Sequence, residues 1–168
     1  MRRRVQVASA AFLLALIPAA ARADACPAST VDIADWPIVR SARVPGFTLR
    51  LPRAFARDTT PIATDSTPSA RWRDAARGRF TMSHLTSTAI PASLPASENS
   101  PTSMRCETRV GAATATIVAF GDGPSTYVVH ARIRWPDGEL LDVHADAADR
   151  EHLEQLLAAV RTIRRTGA

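Results

Sequence analysis

Four histidines and two cysteines are the residues of this chain with the most chemistry to offer. A turn places two of the histidines. Pro136-Asp137-Gly138 fits a three-residue hairpin loop, a type I turn closed by Gly138 in the left-handed conformation. That loop sets Trp135 opposite Glu139 and predicts the register outward from there. Ile133 should face Leu141, Ala131 should face Val143, and Val129 should face Ala145, making one apolar face. On the other face Arg134 meets Leu140, Arg132 meets Asp142, and His130 meets His144. An Arg–Asp pair directly across a ladder favours this register. Opposed Cβ atoms lie about 5 Å apart, so the imidazoles of His130 and His144 can share one zinc or copper ion. His84, on a neighbouring strand, or Asp142 would supply a third ligand. Two histidines without a fixed third ligand make a weak site, and such pairs on polar sheet faces are more often solvated or hydrogen-bonded. His152 reads as a surface residue of the last helix.

The cysteines carry the second chemistry. Cys26 and Cys106 are the two in the chain, and an even pair in an oxidising compartment predicts a disulfide. Closing a loop of about 80 residues restricts the unfolded chain by roughly 4 to 5 kcal/mol in the entropy model. Export is predicted by what precedes Cys26. "MRRR" is a positive n-region, residues 5 to 17 are apolar apart from Gln6 and Ser9, and small residues follow Pro18. This is the layout of a signal peptide over 1–25, with cleavage near Ala23 or Ala25. Its apolar run falls short of the roughly 20 residues that span a bilayer, so the mature chain is expected to hold no transmembrane segment. A lipoprotein anchored at Cys26 is the alternative fate. The residues before it, Ala23, Asp24 and Ala25, fit a lipobox poorly, because Asp24 is charged and Ala23 replaces an aliphatic residue.

Several function classes are excluded or disfavoured by composition. All 21 cationic residues are arginine, so no Schiff base, pyridoxal site or phosphate-loop lysine can be built. Four of those arginines lie in the leader, which leaves 17 against 16 acids and a mature chain near neutrality. That balance argues against nucleic acid as a partner. There is no C-x-x-C, no H-E-x-x-H and no G-x-S-x-G. "GDGPS", 121 to 125, lacks the third glycine and the following helix of a dinucleotide loop, and reads as a turn. No catalytic residue and no cofactor is assigned.

The elements that must position these residues follow from periodicity. After the leader, 26–43 is an irregular lead-in limited by Pro37, and 44–165 reads as a single α+β domain. Phe47, Leu49 and Leu51 alternate with Thr48 and Arg50, the pattern of a half-buried strand. "RFTMSHL" alternates after Gly78. Residues 86–103, rich in Ser, Thr and Pro, read as a mobile loop. Strands follow in "MRCETRV", "ATATIVAF", "TYVVHARIRW" and "ELLDVHA". Residues 146 to 165 then read as a helix capped by Asp146, with Asp149 as the reciprocal residue of a capping box and Leu153, Leu156, Leu157, Val160 and Ile163 as its apolar stripe.

In order of features, "GFTLRLPRAF", Trp72 with "GRFTMSHL", and "ATATIVAF" followed by "YVVHARIRWPDGELLDV" and a closing helix resemble the PsbP-like superfamily. The resemblance covers roughly residues 44 to 165. It implies an α/β/α sandwich, a twisted antiparallel sheet with packing helices on both faces. It implies no shared catalytic residue, and roles mostly in binding or assembly. The expectation is therefore a periplasmic or secreted non-enzymatic domain that binds an unknown envelope protein. The alternative is a small periplasmic metal-binding protein or hydrolase built on His130 and His144.

Overall fold

Alternation of apolar and polar residues at a spacing of two runs through most of this chain, and the fold follows it. The computed structural model describes residues 24–60, 67–76, 78–85, 104–121 and 126–166. The leader, the 86–103 loop and most of the "GDGPS" turn lie outside the described residues. Among those described, the strands are β1 (Asp24–Ala25), β2 (Ile38–Arg40), β3 (Phe47–Arg50), β4 (Ala56–Asp58), β5 (Ser69–Asp74), β6 (Gly78–Leu85), β7 (Met104–Val110), β8 (Ala113–Gly121), β9 (Tyr127–Arg134), β10 (Leu140–Ala147) and β11 (Arg164–Arg165). The helix α1 spans Arg150–Arg161.

Eight strands form one sheet in the order β1-β7-β8-β9-β10-β6-β5-β4, and β11-β3-β2 form a second. All described pairings are antiparallel except β1 with β7. The α+β reading, an α/β/α sandwich with packing helices on both faces, is therefore corrected. The protein is mostly β, with one helix among the described residues. The physical reason lies in the two faces of the large sheet. One carries Phe80, Met82, Ile117, Val129, Ala131, Ile133, Leu141, Val143 and Ala145, all buried. Helix α1 covers it with Leu156, Ala159 and Val160, and the small sheet adds Phe47 and Leu49 to the same core. The opposite face presents Arg73, Arg79, Thr81, Ser83, Thr114, Thr116, Arg132 and Arg134, mixed with the apolar Val118, Phe120, Val128 and Leu140, so it lacks the unbroken apolar surface of the helix-covered face.

The hairpin register is as read from the turn. Arg132 pairs with Asp142 and His130 with His144. The Trp135 N–H donates to the Glu139 carbonyl at 3.0 Å, and Gly138 has φ of 89°. The helix starts later than periodicity suggested. Strand β10 continues through Ala147, so Asp146 is a strand residue and no cap. Asp149 is the N-cap, its carboxylate accepting from the His152 N–H at 2.9 Å. At the other end Thr162 ties α1 to the small sheet: its Oγ1 accepts from the Arg50 N–H at 2.8 Å and donates to the Ala159 carbonyl at 2.7 Å.

Candidate functional site

The alternation that carries His130 and His144 to one face also carries Asp146, two residues further along β10, and Arg79, its partner across β6. The result is a connected row. His130 Nδ1 lies 3.3 Å from His144 Nδ1. His144 Nε2 lies 3.1 Å from Asp146 Oδ1. Arg79 Nε lies 3.3 Å from Asp146 Oδ2. An ionised carboxylate accepts only, so the network assigns the His144 proton to Nε2 and leaves its Nδ1 as a lone pair facing His130. His130 then donates from Nδ1. Phe120 stacks on the His130 ring, with centroids 6.0 Å apart and planes 17° from parallel.

Electrostatics follow from that row. Burial against Phe120 and β8, reinforced by the neighbouring His144, pushes the His130 pKa below its ordinary value, against the pull of Asp142 and Asp146. The hydrogen bond from His144, with help from Arg79, holds Asp146 below the usual carboxylate range. Backbone geometry reinforces the arrangement. Gly78 opens β6 at φ of 127°, and a Cβ built there would sit 1.9 Å from the Asp146 carbonyl oxygen. Only glycine lets β6 approach β10 this closely beside Asp146.

The other residues named for metal binding lie elsewhere or are occupied. His84 stands opposite Leu141, on the core face. Its Nε2 is 3.1 Å from Glu139 Oε1, and its ring is 5.9 Å from that of Phe47. Asp142 shares the polar face with the pair, but Arg132 grips both its oxygens, at 2.8 and 2.9 Å. Among the described residues, no group of three His, Cys, Asp or Glu side chains converges to hold a metal ion. His130 and His144 are brought together as predicted. Asp146 and Arg79 complete their row and were missed. The signal was present in "HADA", whose period of two continues past the point where a helix was drawn.

A second site lies on the helix side of the sheet. Cys26 and Cys106 are joined in a disulfide, with Asp24 and Ala25 paired in parallel to Cys106 and Glu107. The bridge and the Cys26 N–H, bonded to the Glu107 carbonyl at 3.0 Å, aim residues 27 to 30 along the end of α1. Between this segment, the helix and the ends of β7 to β9 is a cavity of about 560 Å³. Met104, Ala119, Leu153 and Leu157 form its apolar lining, with Tyr127 and Arg161 beside them. Arg161 donates from Nη2 to the Pro27 carbonyl, which secures the segment from the helix side. No described helix is long and apolar enough to cross a membrane. Compared with known proteins, the chain matches no family model and no curated protein.

Proposed function

We propose that this is an exported protein of the bacterial periplasm whose task is binding rather than turnover. The observation that carries the reading is the cavity under residues 27 to 30, preformed, mostly apolar, and walled by a segment that the Cys26–Cys106 bridge holds in place. Its volume falls in the range of small-molecule sites, about 300 to 1,000 Å³. A disulfide joining the front of the chain to a central strand suits an oxidising compartment, as does the leader-like segment before it. Disulfide formation and acylation compete for the one sulfur of Cys26, and here the sulfur is in the bridge. Native mass spectrometry of protein purified from envelope extract tests the reading. The expected result is a chain beginning near Asp24 or Cys26 that carries a small molecule or partner, released on denaturation. Recovery from the cytosol with the leader intact sinks the export half. Turnover of a generic ester or phosphate that survives purification sinks the binding half.

One observation favours a second reading, a metal-binding role for the histidine pair. Zinc–nitrogen bonds of about 2.0 to 2.1 Å at tetrahedral angles set two ligand nitrogens about 3.3 Å apart. The two Nδ1 atoms stand at that separation. Asp146, accepting from His144 Nε2, would orient the ring as a carboxylate behind a ligating histidine does. Zinc titration by calorimetry decides it: equimolar binding that disappears in His144→Ala supports the reading, and heats equal to the blank end it.

A further inference from the structure

The cavity has a polar feature that an apolar guest alone would not satisfy. Arg161 lines it, and its Nε–H is buried with no hydrogen-bond partner among the described residues. Its Nη2 is taken by the Pro27 carbonyl, and no described carboxylate pairs with it. The two other charged groups of the lining, Arg150 and Glu154, stand one helical turn apart and face each other at 3.8 Å. Arg161 is therefore the cation of the lining that no described acid partners. A carboxylate in the cavity set against the guanidinium would neutralise its charge and gain a charge-assisted interaction. Around it, Met104, Leu153 and Leu157 offer flexible, apolar walls suited to an alkyl chain. Polar Ser29 and Thr30 sit at the N-terminal wall.

We propose that this cavity binds a single-chain amphipathic carboxylate, of the fatty-acid class, with its head on Arg161 and its tail along Met104, Leu153 and Leu157. This inference rests on the binding reading above and names the ligand class of that site. The carboxylate supplies the negative charge that no described acid places beside Arg161. The tail displaces water from side chains that are only partly buried, and the disulfide keeps the 27 to 30 wall from folding away. A cationic amphiphile with the same tail would gain the apolar contact but set its charge against Arg161.

Calorimetry with dodecanoate and with dodecyltrimethylammonium, each below its micelle concentration, tests this on the oxidised mature chain. Methyl chemical-shift mapping locates the site. Equimolar binding of dodecanoate is expected, at least roughly tenfold tighter than the cation, since a hydrogen bond to a charged group is worth about that factor. Shifts should centre on Met104, Leu153 and Leu157. Arg161→Gln should weaken dodecanoate roughly tenfold and leave the cation unchanged or tighter. Leu157→Trp, which fills the cavity without touching the head group, should weaken both, and circular dichroism checks that each variant keeps its fold. Equal affinity for the two amphiphiles, or shifts centred elsewhere, overturns the proposal. So does an absence of binding by either, which leaves the wider binding reading to the native mass spectrum.

Discussion

His130 is poised to report acid before any carboxylate does. Its pKa is lowered in the folded protein by burial and by His144, so in mildly acid solution the unfolded chain binds more protons there than the folded one. The stability it contributes is complete above about pH 6.5 and declines as pH falls from there toward the depressed folded value. His130→Gln should flatten the pH dependence of chemical denaturation between pH 7 and 5, by at most about 1.4 kcal/mol per pH unit and less after solvent screening. Asp146, also lowered, adds stability that starts to be lost further down, as the unfolded carboxylate protonates in its ordinary range, and is gone below the depressed folded value. An unchanged slope in the variant would show that His130 titrates in the folded protein as it does in the unfolded chain. Gly78 is the other single residue on which this face depends. Gly78→Ala meets both a forbidden φ and the Asp146 carbonyl, and should destabilise by at least roughly 2 kcal/mol in urea unfolding. A neutral result would mean that β6 and β10 pair less closely beside Asp146.

At the scale of elements, α1 runs through Thr162 and Ile163 into β11 of the small sheet, and the Thr162 hydroxyl fastens that turn to β3. Thr162→Val keeps the shape but removes the acceptor of the Arg50 N–H and the donor to Ala159. The expected loss is about 1 to 3 kcal/mol, the range for a buried donor left unpaired, and Thr162→Ser should recover most of it. Equal stability of the Val and Ser variants would mean that water replaces the hydroxyl. Which elements were legible in the sequence follows similar local logic. Pro136-Asp137-Gly138 determines a loop length, and loop length determines register, so every cross-strand partner from His130 to His144 could be read. The start of α1 could not. Asp146 and Asp149 are both good caps, and only the cross-strand Arg79 shows that Asp146 stays in a strand. The leading segments misled in another way: "GFTLRLPRAF" reads as a core strand, and its Phe47 and Leu49 are buried, yet it pairs with β2 and β11 instead of joining the large sheet. Alternation tells which face is buried and says nothing of which sheet the strand joins.

Across the whole molecule, the cavity could not be read from sequence because its walls come from residues 27 to 30, Met104, Ala119, Phe120, Tyr127 and one side of α1, brought together only by tertiary closure. The same topology makes a statement about covalent continuity. Strands β4 to β6 precede residues 86–103 and strands β7 to β10 follow them, yet β6 lies hydrogen-bonded to β10 through eight paired residues. Cys26 belongs to the first half and Cys106 to the second. A peptide bond cut anywhere between Leu85 and Met104 therefore divides the polypeptide without releasing either portion. Gel electrophoresis after such a nick should show one band at full mass without thiol and two with it. Two bands without thiol would mean that the bridge does not span the cut. Wherever a protease reaches it, a protein stitched in this way can be clipped once and still move and be recovered as one particle.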